Sequence, residues 1–201
     1  MDIVKSEFFS FEEYRKIVDK YVNQDYRELN FQNRVVLQLI DKVLANTSDL
    51  LIVDVHVQYK NKESKLHTRK YYAGDHTPDL LIVKDWNYEN IQKAKSDYVA
   101  LVEVKSPVLD PISREVSHTN EEIEEYMKIC DRVILTDCYT WKFYFEGKET
   151  KVVILHDESD WKMKKIDNPK FVQEEFGFPP YRMEPVDWDE LIEYLKFFLI
   201  V

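Results

Sequence analysis

Apolar residues recur at helical spacing near the start of the chain, with Phe11, Tyr14, Ile17, Val18, Tyr21 and Val22 on one side. Ser10 and Glu13 stand ahead of that run at capping-box spacing, which predicts a helix opening there. Asp25 and Glu28 repeat the signal and predict a longer helix to about Leu44, its buried stripe including Leu29, Val36, Leu39, Ile40 and Val43. Asn46, Thr47 and Ser48 end it. The period then changes to two. Residues 51–59 (LIVDVHVQY) alternate and predict a strand with one polar face, against which residues 66–72 are placed to pair back. The short apolar runs 79–83 (DLLIV) and 98–104 (YVALVEV) have the character of strands inside a covered sheet. An acidic helix is predicted from about His118 to Cys130, followed by strands at 132–136 (RVILT), 141–146 (WKFYFE) and 152–155. Residues 160–180 carry lysines and prolines in a loop-like pattern. Asp187 and Glu190 then cap a last helix with Trp188, Leu191, Ile192, Leu195, Phe198 and Leu199 on one side.

Helices, then strands, a helix and more strands predict an α/β fold, a mixed central sheet flanked by helices on both faces. With no repeat, low-complexity tract or linker, one domain over 1–201 is the expected count: N-terminal helices at 1–46, a sheet core at 50–156, and a C-terminal loop and helix at 157–201.

Composition removes several classes of function. Three glycines among 201 residues leave no room for a glycine-rich phosphate cradle. Cys130 and Cys138 cannot build a disulfide framework or a structural zinc site by themselves, so they read as buried small hydrophobes in a reducing, cytoplasmic setting. No apolar run approaches the roughly 20 residues of a membrane span. A net charge of −10 argues against coating nucleic acid by bulk electrostatics, though not against meeting phosphates through a bound metal ion. The charge is also uneven. Lys60, Lys62, Lys65, Arg69 and Lys70 face Glu63 alone, whereas Glu115, Glu121, Glu122, Glu124 and Glu125 crowd between Asp110 and Asp131.

The chemistry concentrates on two neighbouring strands. Thr77-Pro78-Asp79 opens the first, and Glu103-Val104-Lys105 closes the second. Side chains alternate across a strand, so Glu103 and Lys105 share a face. Charges there, directly after an apolar run, are expensive to bury unless paired or metal-bound. Two carboxylates and an ammonium at one sheet edge suit a hard divalent cation such as Mg2+.

Pro78-Asp79, followed after an insert by Glu103-Val104-Lys105, resembles the PD-(D/E)xK nuclease superfamily with its restriction-endonuclease-like fold. The following EVKSPVLDPIS, the acidic helix with Glu122 and Tyr126, and DRVILTDCYTWKFY are similar to the N-terminal nuclease domain of type I restriction enzyme R subunits, over roughly residues 28–144. The chain departs from that pattern where Glu122 stands for Gln and Asp137-Cys138 for Asn-Gly, and the helicase motor is absent. The resemblance implies a nuclease of restriction or defence type using Mg2+ or Mn2+, acting on DNA rather than RNA. It implies Asp79 and Glu103 as metal ligands with the Val104 carbonyl nearby, Lys105 as the catalytic lysine, Glu28 as an accessory carboxylate, and Tyr126 as a residue positioning the site or nucleic acid. Each has a plainer alternative: Glu28 as half of a capping box, Tyr126 as packing, and Glu103/Lys105 as a rim ion pair. The lysine-rich stretch from Lys60 to Lys70 is the candidate for phosphate-backbone contact, or simply a solvated hairpin. Rival readings are a degenerate nuclease fold serving as a binding module, and a nuclease domain from a larger protein. Phe197, Phe198 and Ile200 predict more apolar surface than one helix face hides, hence a homodimer or larger complex.

Overall fold

The computed structural model describes residues 10–47, 49–55, 76–84, 98–112, 117–156, 183 and 187–200. Helix α1 (Phe11–Gln24) begins as its sequence requires. The Ser10 hydroxyl accepts from the Glu13 amide while the Glu13 carboxylate takes the Ser10 amide, and Phe11, Tyr14, Val18 and Val22 form the buried stripe.

The second helical stretch departs from the expected pattern. Helix α2 (Glu28–Phe31) has Arg27 at its N-cap with no side-chain bond, so the predicted Asp25–Glu28 capping box is not formed. Asp25 instead holds the Arg27 guanidinium at 2.5–2.7 Å. Hydrogen bonding to Arg27 keeps the Asp25 carboxyl below its ordinary range. From α2 the chain continues through a π-helical turn, Gln32–Val36, into α3 (Leu37–Leu44), with the Leu37 amide reaching back five residues to the Gln32 carbonyl. The inserted turn rotates the faces before and after it. Val36, Leu39, Ile40 and Val43 are buried as expected, but Leu29 is 46% exposed.

Six strands form one sheet in the order β1 to β6: β1 (Leu50–Asp54), β2 (Leu80–Lys84), β3 (Tyr98–Val104), β4 (Arg132–Thr136), β5 (Thr140–Phe145) and β6 (Lys148–Ile154). All neighbours are antiparallel except β3 and β4, which run parallel on either side of helix α4 (Ser117–Met127). The described partner of β1 is β2; the expected pairing with residues 66–72 lies outside the described residues, as do residues 160–180 and Lys60, Lys62, Lys65, Arg69 and Lys70. Of the polar face expected of the first strand, Asp54 is described, half-buried and accepting from Gln32, while His56 and Gln58 lie outside the described residues; Leu50 and Ile52 pack into one core and Val53 into the other.

The sheet is apolar on both faces. Leu80, Ile82, Ala100, Val102, Ile134 and Phe143 pack against α1, α3 and α5 (Trp188–Ile200). Leu81, Val83, Leu101, Val133 and Leu135 pack against Ile123, Tyr126 and Cys130 on and just after α4. Both cysteines are buried. On α5 Phe198 is covered by Phe143 and Tyr194, as its place on the apolar side predicts and contrary to its expected share in an exposed apolar surface, while Phe197 and Ile200 remain exposed. No helix among the described residues is long and apolar enough to cross a membrane.

Candidate active site

Alternation along β3 sends Ala100, Val102 and Val104 toward the α1 side and Leu101 toward the α4 side. Glu103 and Lys105 follow Leu101, so their charges meet α4 where the parallel pair β3–β4 ends. The Lys105 backbone is held there by its amide, which donates to the Thr136 carbonyl at 2.8 Å. Asp79 precedes Leu80, which pairs with Val102, and this brings it beside the end of β3. Its Oδ2 accepts from the Val104 amide at 2.8 Å.

The side chains form a continuous chain of contacts. Lys105 Nζ donates to Glu103 Oε1 at 2.7 Å and to Glu122 Oε2 at 2.8 Å. Tyr126 Oη donates to Glu103 Oε2 at 2.9 Å. His76 Nδ1 lies 3.7 Å from Glu122 Oε1. One helical turn separates Glu122 from Tyr126, which is why both reach the same strand end from α4. Asp79, Glu103 and Lys105 are only 3%, 5% and 8% exposed.

Two carboxylates, Glu103 and Glu122, therefore converge on one ammonium, with the charge of Asp79 acting on Glu103, and acid is in excess. Burial raises the proton affinity of Glu103 well above that of an ordinary carboxylate, and the neighbouring charge of Asp79 adds to it, outweighing Lys105. Burial works against the Lys105 ammonium, but the charge of Glu103 and hydrogen bonds to Glu103 and Glu122 raise its pKa overall. It stays protonated. Burial and the Glu103 charge likewise push the Tyr126 phenol up, so Tyr126 acts at neutral pH as a donor.

Of the residues singled out from sequence, the fold joins Asp79, Val104, Glu103, Lys105 and Tyr126 in this cluster. Val104 contributes its amide, and its side chain is core. Glu28 is the half-buried first residue of α2, where its carbonyl accepts from the Gln32 amide. Glu122, a misfit to the family pattern, is a direct partner of Lys105. Sequence reasoning missed His76 and Gln32. A signal for Gln32 existed: it is a polar residue in line with the stripe of Val36, Leu39, Ile40 and Val43.

The donor set tests whether a metal ion fits. Among the described residues no group of three or more His, Cys, Asp and Glu side chains is arranged to hold one. Mg2+ does not require such a group, because it is usually held by one or two carboxylates with water and substrate oxygens completing the shell. Asp79 and Glu103 offer hard oxygen donors, and the excess proton affinity of Glu103 marks a place where added positive charge is favourable. The residues fit a hydrated hard cation and do not fit a closed structural site. No family model, curated protein or solved structure matches the chain.

Proposed function

We propose that the chain is a metal-dependent phosphodiesterase of restriction-endonuclease-like fold, a nuclease acting on DNA rather than RNA, with Mg2+ or Mn2+ held by Asp79 and Glu103. One observation carries the reading: Asp79, Glu103 and Lys105 come to a single strand rim, buried, with the lysine bonded to the glutamate. An antiparallel pair followed by a helix and a parallel strand supports the fold assignment.

When bound, the cation supplies Lewis-acid polarisation of a phosphoryl oxygen and a lowered pKa for water. The chain's own residues do the rest. Lys105, kept protonated by its carboxylate partners, sets positive charge where negative charge grows on phosphate. Tyr126 fixes one Glu103 oxygen and so the orientation of its carboxylate. The Val104 amide does the same for Asp79. Glu122 keeps a second acceptor on Lys105, so the ammonium would remain paired if a cation shared the Glu103 carboxylate.

The test is cleavage of double-stranded DNA, single-stranded DNA and RNA with Mg2+ or Mn2+. Lys105→Ala is expected to retain Mn2+ binding and lose about 100-fold or more in rate, in the range of a removed electrostatic stabiliser. Asp79→Ala is expected to lose both. The position of Glu122, which adds negative charge beside Lys105, favours a second reading, a degenerate nuclease fold that binds without cutting. Absence of cleavage on all three substrates, with nucleic-acid binding retained, selects it.

A further inference from the structure

Gln32 lies on the first position of the π-helical turn and is 1% exposed. Its Nε2 donates to Asp54 Oδ1 at 3.1 Å and to the Asp79 carbonyl oxygen at 3.3 Å. The amide orientation is fixed by its partners, since the reverse would set Oε1 against two oxygens. In consequence Oε1 is buried with no hydrogen-bond partner among the described residues. Two local penalties therefore coincide at one residue, an irregular helix turn and an unsatisfied buried acceptor. An apolar side chain in an unbroken α-helix avoids both. Departures of this kind are expected where a residue serves a site.

The hydrogen bonds say which site. Asp79 is held at three points: the Val55 amide at 3.2 Å and Gln32 on its carbonyl, and the Val104 amide on its carboxylate. We propose that Gln32 is a positioning residue for Asp79. Its carboxamide fixes the peptide from which the Asp79 carboxylate reaches the Val104 amide at the end of β3. The π-helical turn supplies the rotation that brings Gln32 onto that peptide. The link to metal binding rests on the proposed nuclease reading; the link to Asp79 does not.

Gln32→Leu in the full chain separates the possibilities. Amide hydrogen exchange at Val104 reads whether the Asp79 carboxylate is still held, and it needs no metal. Exchange there is expected to accelerate about tenfold or more, while amides across β5 and β6 keep their rates and Tm stays close to wild type. Mn2+ affinity measured by calorimetry is expected to fall about tenfold or more, because the carboxylate is no longer preorganised. Gln32→Met gives the same comparison if leucine packs poorly. Unchanged Val104 exchange overturns the proposal, and so does acceleration of all amides by a common factor, which marks a merely structural residue. A wild-type protein that binds no Mn2+ sinks the nuclease reading alone, because the exchange result still decides the role of Gln32.

Discussion

Glu103 sets the electrostatics of the site. Its carboxyl is buried beside Asp79, so the folded protein holds its proton to higher pH than the unfolded chain does. The sign of the linkage follows. This group favours the folded state in acid, and the contribution is lost as pH rises from the ordinary glutamate value of 4.5 toward the raised folded value. Glu103→Gln keeps the shape and removes the charge, while Lys105 retains Glu122. The variant is expected to match wild type near pH 4 and to exceed it increasingly toward pH 8, at roughly 2–4 °C of Tm per kcal/mol for a chain of this size. Added Mn2+ should raise Tm for wild type only and so narrow the gap. Thermal unfolding at the two pH values, with and without metal, reads both effects; a variant less stable at pH 8 removes the argument. Asp79, Glu103 and Lys105 were legible in the sequence because charges at the ends of apolar strands need an explanation. His76 was not, because its role depends on a contact 46 residues away along the chain, and Gln32 showed only as a polar residue in an apolar stripe, its partner lying 47 residues on.

Elements were legible wherever local pattern and tertiary burial agree. The strands at 98–104 and 132–136 match their apolar runs residue for residue, since both lie in the centre of the sheet. The π-helical turn left no periodic trace, because one extra residue shifts the stripe without breaking it, and Leu29 was misplaced for that reason. Helix α4 separates its acids by face: Glu122 turns to Lys105, while Glu121 and Glu124 are exposed. The two hairpins spend conformational energy differently. Glu146 and Gly147 both have positive φ, 49° and 80°, the signature of a type I′ turn between β5 and β6. Cys138, φ 71°, occupies the first central position between β4 and β5, where glycine is usual, and is kept there by burial and by Tyr14 Oη donating to its carbonyl at 2.7 Å. Glu146 has no such compensation in burial. Glu146→Asn, giving the Asn-Gly sequence that type I′ turns prefer, is expected to stabilise by about 0.5–1 kcal/mol. Gly147→Ala is expected to destabilise although nothing lies within 4 Å of the added Cβ, because the penalty is in the backbone. Urea midpoints at constant m-value test both; a Glu146→Asn midpoint at or below wild type refutes the turn argument.

At the scale of the whole molecule, the nuclease reading sets a polyanion substrate against a chain of net charge −10. Exposed Glu121 and Glu124 stand on the helix that supplies Glu122 and Tyr126, so the approach to the proposed site is repulsive on that side. Attraction must come from elsewhere. Under the nuclease reading, a divalent cation held by Asp79 and Glu103 would supply positive charge at the phosphate but would carry little of the backbone. Lys60, Lys62, Lys65, Arg69 and Lys70 form a dense basic stretch of the sequence, between β1 and Asp79 along the chain. Under the nuclease reading these are the charges that hold the phosphate backbone. Each duplex phosphate neutralised by the protein steepens the dependence of log K on log salt by about 0.9. Replacing the five basic residues with glutamine is therefore expected to weaken DNA binding at low salt and to flatten the slope by about 0.9 for every phosphate no longer neutralised. Ca2+ in place of Mg2+ during the titration keeps substrate intact without removing the divalent charge. If the substituted chain binds with an unchanged slope, the basic stretch is a solvated segment, and the DNA backbone is held by another surface or a second subunit.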